Sequence, residues 1–280
     1  MNDRAPVAVL GAVASEIAPI RAAMQMSETT TVAGLHFSTG HCVRPGTPAD
    51  RPLVLGQMGM GKVQAAMATQ ALLDRWEPAA LIVTGTAGAL SPDLRVGDVV
   101  VARAVRPHDV GAHLPDGFQP TGVPTFDERG RPVYRRALPA DPDLVARALA
   151  VGAKLPFRVL AGTIVSGDQA VLNGERRAWL RDAFDALAVE MEGAAVAQVA
   201  AAHGVPWVIV RGISDAGDVR INPDVLVRYA EEGAVEAWGR RLRVLLTDPA
   251  VVWRAGQLRG DLRRAARHAA QVTLALISNL

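Results

Sequence analysis

Four acidic residues of this 280-residue chain stand where a carboxyl group could take part in chemistry. Glu190 and Glu192 precede an alanine-rich segment, Asp215 follows a short apolar run, and Glu16 lies just after the first apolar run of the chain. A protonated carboxyl group can act as a general acid, whereas an ionised one can hold hydroxyl groups or activate water. Taken singly, each acid also has a plainer explanation, because acids favour helix N-termini and aspartate is common in turns.

The segment between these acids predicts one helix and one strand. Residues 193–203 are rich in alanine with apolar residues at helical spacing, and Gly204 and Pro206 are typical of a helix end. The β-branched run 207–210 predicts a buried parallel strand that leads towards Asp215. Ligands of open α/β sheets bind beyond the carboxyl ends of the strands, so Glu192 and Asp215 are expected at one rim.

Turns with small residues follow other predicted strands along the chain. They are the turn after the strand 7–10, which leads to Glu16, GQMGMGKV at 56–63, TGTAGA at 84–89 and SGDQAVLNG at 166–174. Glycines at such turns let backbone amides approach a ligand closely. The stretch at 56–63 is not a P-loop, because its glycine spacing and its ending differ from that motif. Each turn alone is ordinary α/β chemistry, and their order and spacing carry the functional argument.

Together with VEMEGAAVA at 189–197 and VRGISDAGD at 210–218, these motifs resemble the nucleoside phosphorylase/nucleosidase superfamily. They are most similar to those of 5'-methylthioadenosine/S-adenosylhomocysteine nucleosidases. The resemblance covers about residues 5–245 and implies a three-layer α/β/α sandwich with a mixed central sheet. We therefore expect a nucleosidase-like domain over 1–249 and a basic amphipathic helical tail over 250–280.

The resemblance implies cleavage of a purine N-glycosidic bond and gives roles to individual residues. Asp215, oriented by Ser214, would protonate N7 of the purine, while Glu192 would bind the ribose hydroxyls beneath the developing cation. Glu16 would orient and deprotonate the attacking water. The substrate contacts that the resemblance implies are Met191, Thr86, Ala87, Gly88, Ser214, Arg211, Ala170 and Val171. The family usually places an aromatic residue at Ala170 to stack on adenine, so stacking is expected to be weaker or to come from elsewhere.

Water is the expected nucleophile. Phosphorylases of this superfamily supply several arginines to phosphate, whereas Arg21 is the only arginine near the first loop here, and Glu16 would repel an anion. Two alternatives stay open. The chain could cleave another purine nucleoside, such as an adenosyl lipid intermediate, by phosphorolysis or hydrolysis, or it could be a nucleoside-binding sensor. The set of Glu16, Glu192 and Asp215 favours an enzyme, because a binding protein needs no general acid.

Composition restricts the class of protein further. The formal net charge of +2 does not favour a nucleic-acid binder, and half of the residues are hydrophobic, enough for a large core. The single cysteine, Cys42, excludes an intramolecular disulfide and a cysteine-based zinc site, so we expect neither a metal nor a cofactor. No uncharged apolar stretch reaches the roughly 18 residues of a membrane span. We expect a cytoplasmic homodimer that acts on a small-molecule nucleoside.

Two segments, 106–140 and 250–280, are less well explained by the resemblance. Residues 106–140 are rich in proline and glycine and predict a long loop, and related enzymes build the pocket for the 5' substituent partly from this region of a neighbouring subunit. A helix is also predicted over 225–246. The tail 250–280 carries five arginines against one acid, Asp261. It is expected to pack as a helix on the body or on a dimer partner, and the alternative is contact with an anionic membrane.

Overall fold

The computed structural model describes residues 5–43, 51–126, 129–216 and 249–280. The strands are β1 Val7–Gly11, β2 Met24–Val32, β3 Leu35–Cys42, β4 Pro52–Gln57, β5 Ala80–Ala89, β6 Val99–Pro107, β7 Gly111–Leu114, β8 Gly117–Pro120, β9 Val123–Phe126, β10 Pro132–Arg135, β11 Leu138–Pro139, β12 Val159–Ser166, β13 Ala186–Glu190 and β14 Trp207–Asp215. The helices are α1 Ala14–Ala22, α2 Lys62–Trp76, α3 Pro142–Gly152, α4 Gly174–Phe184, α5 Gly193–Ala202 and α6 Pro249–Ile277. The helix predicted over 225–246 lies outside the described residues.

A ten-stranded mixed sheet forms the centre of the described structure. Its order is β11-β6-β12-β13-β5-β1-β4-β3-β2, with β14 paired to both β5 and β6. The pairs β6–β12, β12–β13, β13–β5, β5–β14 and β14–β6 close one part of this sheet into a ring. Strand β5 belongs to the ring and also pairs with β1 in the open part, so it connects the two.

Two groups of helices pack on this sheet. α6 lies against β14 and β5 and contacts α1 and α3, while α2 and α5 pack against each other. The strands between them are almost fully buried, as in Ala80–Val83 of β5, because helices cover the sheet. The predicted fold class, a helix-covered mixed α/β sheet, is confirmed.

The strands that reach the site are longer than the sequence pattern predicts. β5 continues through the TGTAGA motif, and β14 continues to Asp215, because the two pair along these segments. Two other strands are not predicted at all. β2 is mostly exposed and polar, so it lacks the apolar alternation that marks a strand, and the short β13 runs directly into the acidic motif.

Residues 106–140 are not one long loop, and that prediction is wrong. β6 extends to Pro107, β7–β8 and β9–β10 form two antiparallel hairpins, and β11 pairs with β6 through Leu138. Glycines provide turn conformations that few other residues adopt, as at Gly117, whose φ is 127°. The first hairpin contacts α4 through the rings of Phe118 and Trp179, whose centroids are 6.4 Å apart.

The C-terminal helix α6 packs on the body of the protein. Ala265, Ala266, Ala269 and Ala270 are buried, and the arginines at 259, 263, 264 and 267 are exposed, so the basic face points to solvent. A Cβ atom added to Gly212 of β14 would collide with the backbone of Ala265, so this glycine permits the close approach of helix and strand. Within the described part of the chain, no helix is long and apolar enough to cross a membrane.

Candidate active site

The predicted site residues come from elements that converge beside β5. The turn after β1 leads to Glu16 on α1, β13 ends at Glu190 just before Glu192, and β14 ends at Asp215. The glycine-rich stretch after β4 brings Gly61 to the same place, at the start of α2. The strand ends therefore form one rim, as predicted for an α/β sheet.

A first charged cluster surrounds Arg211, which is completely buried. Its guanidinium pairs with the Glu190 carboxylate and lies 3.0 Å from Glu192 Oε2. Glu190 also accepts hydrogen bonds of 2.9 Å from the amide of Gly193, at the N-terminus of α5. A buried cation of this kind requires carboxylate partners, and Arg211 in turn fixes the position of Glu192.

Burial and charge act in opposite directions on this cluster. Burial raises the pKa of Glu192 to about 7, although the Arg211 guanidinium opposes that rise. The nearby Glu190 and Glu16 carboxylates add to the rise through charge repulsion. Burial also acts to lower the pKa of Arg211, but the surrounding carboxylates outweigh it and raise that pKa above its ordinary value. The arginine therefore stays charged, and Glu192 changes its charge near neutral pH.

Glu16 is held by four hydrogen-bond donors. Its Oε2 accepts from the amides of Ala12 at 2.9 Å and Val13 at 3.3 Å, while its Oε1 accepts from the Thr86 amide at 2.8 Å and the Thr86 hydroxyl at 2.9 Å. The Thr86 hydroxyl, expected to face the ligand, is thus engaged with Glu16. A Cβ atom on Gly85 would collide with Arg211 and lie 2.8 Å from Glu16 Oε1, so only glycine leaves room for both charges.

The start of α2 is tied to the same cluster. The Gly61 amide donates to Glu192 Oε1 at 3.0 Å, and the next amide, that of Lys62, donates to Asp168 Oδ1 at 2.7 Å. The Lys62 ammonium lies 2.7 Å from Asp109 Oδ1. Burial acts to raise the pKa of Asp109, but the hydrogen bonds from Lys62 and from the Asp168 amide, together with the charge of Lys62, lower it overall. These contacts join the SGD loop and the end of β6 to the helix whose amide holds Glu192.

A second charged cluster surrounds Asp215. The Ser214 hydroxyl lies 2.7 Å from Asp215 Oδ1 and 3.3 Å from the Ala87 carbonyl, and the Arg177 guanidinium pairs with Asp215 Oδ2. Gly88 lies beside this pair, since a Cβ atom there would be 3.0 Å from Asp215 Oδ2. Two glycines of β5, Gly85 and Gly88, thus make room for one charged cluster each.

The remaining predicted contacts lie around the two clusters. Met191 is half-buried between Glu190 and Glu192, and Ala87 is buried on β5. Ala170 is exposed, whereas Val171 is buried in a small apolar cluster and its carbonyl accepts a hydrogen bond from Arg177 Nε at 3.0 Å. The structure therefore brings the predicted site residues together around β5, with Ala170 and Val171 on the loop that holds Arg177.

Sequence reasoning missed two residues that the clusters require. The sequence motifs give Glu190 no individual role in the predicted site, yet it is an ion-pair partner of Arg211. Arg177 was not singled out, although the sequence contains a signal: it shares the buried face of α4 with Leu180 and Phe184. An arginine at helical spacing with two apolar core residues points to a buried ion pair. In the described part of the chain, no group of three or more potential metal ligands occurs.

This fold and its paired charge clusters define a class of protein. A model of the phosphorylase superfamily matches residues 6–278, and the chain belongs to this superfamily. The match extends over most of α6, including residues that the resemblance at the level of motifs does not cover.

The relatives that are similar over most of the chain include nucleosidases. The 5'-methylthioadenosine/S-adenosylhomocysteine nucleosidase of Bacillus thuringiensis (strain Al Hakam) is 40% identical over 213 residues, 75% of this chain and 85% of the relative. The crystal structure of the corresponding Neisseria meningitidis enzyme in complex with methylthio-immucillin-A matches with a TM-score of 0.74 and 27% identity, over 98% of this chain and 99% of that chain. Futalosine hydrolase of Helicobacter pylori strain 26695 matches with a TM-score of 0.74 and 25% identity, over 99% of both chains. The predicted family is confirmed.

Proposed function

We propose that this protein hydrolyses the N-glycosidic bond of an adenine nucleoside of the 5'-methylthioadenosine/S-adenosylhomocysteine type and releases adenine. The observation that carries the proposal is the arrangement around β5, where Glu16 and Arg211, the ion-pair partner of Glu192, lie at Gly85 and Asp215 lies at Gly88. The relatives that share this fold are named as nucleosidases of such substrates, which supports the same reaction class here.

The first cluster fits the sugar side of the reaction. Cleavage of an N-glycosidic bond passes through an oxocarbenium-like transition state, and an ionised carboxylate beneath it stabilises the developing charge. In the proposal Glu192 has that role and accepts hydrogen bonds from the 2'- and 3'-hydroxyls. Met191, its neighbour, packs against the sugar.

Glu16 orients and deprotonates the attacking water. Its four donors fix the carboxylate in place, and it lies close to Arg211. An attacking phosphate dianion would meet Glu16, Glu190 and Glu192, and the one buried arginine among them is already paired with two of these carboxylates. This charge balance favours water over phosphate.

The second cluster fits the purine side. An adenine anion is a poor leaving group, so protonation at N7 by a general acid is worth roughly 10²–10⁴-fold in rate. In the proposal Asp215 is that acid and Ser214 orients its carboxyl group through the 2.7 Å contact. The backbone at Ala87, Gly88, Ala170 and Val171 lines the purine position.

A substrate panel tests the proposal, with methylthioadenosine, S-adenosylhomocysteine, adenosine, inosine, 5'-deoxyadenosine and futalosine as substrates. Release of adenine from the first two by the wild type, and its loss in Asp215→Asn, are the expected results. Asp215→Asn keeps the shape of the side chain but cannot donate the proton, so kcat is expected to fall by about 10² or more while binding falls less. A wild-type protein that binds these nucleosides without cleaving them would contradict hydrolysis and support the sensor alternative.

We further propose that the protein acts as a homodimer. Val63 and Met67 of α2, and Met60 just before it, are exposed apolar residues directly beside Gly61 or on the first turns of the helix. A second copy that covers this face would remove it from water. It would also lie next to Gly61, whose amide contacts Glu192 in the first charged cluster. The oligomeric state, measured by light scattering for wild type and Val63→Glu, tests this assembly: the variant is expected to dissociate, and a monomeric wild type would contradict it.

A further inference from the structure

One buried arginine of the site has no role in the proposed reaction. Arg177 of α4 is 4% exposed, and its guanidinium reaches three acceptors. Nε donates to the Val171 carbonyl at 3.0 Å, Nη1 donates to the Ala89 carbonyl at 3.2 Å, and Nη2 pairs with the Asp215 carboxylate. The three acceptors belong to three separate elements: the loop after β12, the end of β5 and the end of β14.

We propose that Arg177 is a positioning residue that fixes the orientation of the Asp215 carboxyl group and controls its ionisation. Arg177 also holds the loop that contains Ala170 and Val171 beside Asp215. The inference rests on the proposed function, in which Asp215 is the general acid. It goes beyond that function because it assigns the control of the acid to a residue of α4 that does not have to touch the substrate.

The shape of the guanidinium explains why an arginine occupies this position. Its donors lie in a rigid plane, so three hydrogen bonds in different directions fix three elements relative to one another. Gly88 lies at the centre of this arrangement, since a Cβ atom there would be 3.1 Å from Arg177 Nη2 and 3.0 Å from Asp215 Oδ2. The pair therefore sits against the backbone of the TGTAGA motif, where the purine is proposed to bind.

The charge of Arg177 has a direct consequence for proton transfer. A cation beside a carboxyl group favours its ionised form, whereas a general acid must carry a proton when it meets the leaving group. In the proposal, the charge of Arg177 beside Asp215 is therefore a control on the proton that the acid carries. The arginine also holds Oδ2, while Ser214 holds Oδ1, so the carboxyl group cannot rotate away from the purine.

Other charged groups near the site are engaged elsewhere. Arg211 of β14 pairs with Glu190 at the end of β13 and with Glu192 just before α5. On α1, Glu16 is bonded to Thr86, and Asp168 of the SGD loop is bonded to the start of α2. On α4 itself, Arg176 lies over the ring of Trp179, with its Cζ atom 4.2 Å from the centroid. Among the described residues, Arg177 is accordingly the charged side chain in contact with Asp215.

Three variants separate this role from a structural one. Arg177→Met removes the charge and keeps an unbranched side chain, Arg177→Lys keeps the charge, and Arg181→Met is the matched control on the same helix. Arg181 lies one turn further along α4, is more exposed than Arg177, and pairs with its exposed neighbour Asp182 at 2.7 Å. The pH profile of kcat/KM is measured for each, together with the ¹³C NMR titration of the Asp215 carboxyl carbon, assigned with Asp215→Asn.

In Arg177→Met, we expect the alkaline limb of kcat/KM and the NMR titration of Asp215 to move to higher pH by about one unit or more. Arg177→Lys and Arg181→Met should stay close to the wild type in both. Arg177→Met added to Asp215→Asn should cost no more than about twofold in kcat/KM, because the two residues act through one group.

The NMR titration keeps this test independent of the proposed function, because it needs no turnover. An Asp215 titration that is the same in wild type and Arg177→Met would overturn the inference, even if the enzyme is active. The inference would also be overturned if Arg177→Met lowered activity without changing the pH profile, and by the same factor in the wild-type and the Asp215→Asn protein. That result would mean that Arg177 only supports the fold. Absence of adenine release by the wild type would instead refute the proposed function and leave the titration to decide on Arg177.

Discussion

The amide of Gly61 donates a hydrogen bond of 3.0 Å to Glu192, although the two residues lie 131 positions apart in the chain. The other carboxylate oxygen of Glu192 lies 3.0 Å from the Arg211 guanidinium. Glu192 is therefore fixed by α2 on one side and by β14 on the other, before any ligand is bound. A carboxylate preorganised in this way stabilises developing positive charge without the cost of reorienting it during the reaction.

The raised pKa of Glu192 predicts an acidic limit to activity. Because this pKa is about 7, the ionised form that the proposed mechanism requires disappears below neutral pH, so kcat/KM should fall about tenfold per pH unit there. Glu192→Gln, which cannot ionise, should lose this limb and be slower by about 10² or more at alkaline pH. A wild-type profile that stays flat down to about pH 5 would contradict the role of Glu192.

The same shift predicts how stability depends on pH. A carboxyl group whose pKa is higher in the folded than in the unfolded state makes its full contribution to stability at pH values below its pKa in the unfolded state. This contribution is lost as the pH rises through about 7, the pKa of Glu192 in the folded protein. Glu192→Gln should therefore gain stability relative to the wild type as the pH is raised from about 4.5 to about 8. Thermal unfolding of both proteins across this range checks it, and a difference that does not change with pH would contradict the shift.

Removal of the buried arginine should destabilise the protein. Arg211→Met would leave Glu190 and Glu192 buried without a cation, which typically costs about 3–5 kcal/mol. The matched control is Arg263→Met on the exposed face of α6, which should change the free energy of unfolding by less than about 0.5 kcal/mol. Urea unfolding of both variants measures the difference. Equal stability of the two would contradict the ion-pair cluster.

Gly85 should not tolerate a side chain. In Gly85→Ala the new methyl group would collide with Arg211 and approach Glu16, so we expect a loss of about 1–3 kcal/mol and a lower kcat. Gly260→Ala is the control, since Gly260 has open space around it within helix α6 and alanine should stabilise it by about 0.5–1 kcal/mol. The free energies of unfolding of the two variants should thus change in opposite directions, and a neutral Gly85→Ala would show that the cluster is not tightly packed.

Helix α6 should be required for folding rather than for membrane contact. Its buried alanines pack on β14, where Gly212 touches the backbone of Ala265, so deletion of residues 249–280 would expose the apolar faces of β14, β5 and α1. We expect the truncated protein to be insoluble and the full-length protein not to sediment with anionic liposomes at low salt. Salt-reversible sedimentation of the full chain, absent in a folded truncation, would support the membrane alternative.

The carboxylates of the proposed site could be predicted because short motifs carry them. Glu192 and Asp215 each follow or precede an element with a clear apolar pattern, and the rule for α/β sheets places both at one rim. The strand β2 could not be predicted in this way, because its exposed polar residues carry no periodic signal. The hairpins in 106–140 were missed for a related reason, since proline and glycine mark turns but do not say how the short segments between them pair.

The pairing of charges could not be read from the sequence either. The ion pair of Arg177 with Asp215 joins α4 to the end of β14, and the contact of Gly61 with Glu192 joins α2 to α5. Both contacts depend on how the strands of the closed part of the sheet are arranged around β5, and no local sequence pattern indicates that arrangement. Which carboxylate each arginine pairs with therefore emerges only from the three-dimensional arrangement, although the carboxylates themselves are found by their motifs.

The most direct test of the central claim measures the sugar product of wild-type turnover with and without phosphate. Methylthioadenosine is incubated with the purified full-length chain, and adenine, free methylthioribose and methylthioribose 1-phosphate are quantified. The account predicts that adenine and free methylthioribose are released in equal amounts, at the same rate in both buffers, and that Asp215→Asn is slower by about 10² or more. Turnover that strictly requires phosphate and yields the 1-phosphate would contradict it.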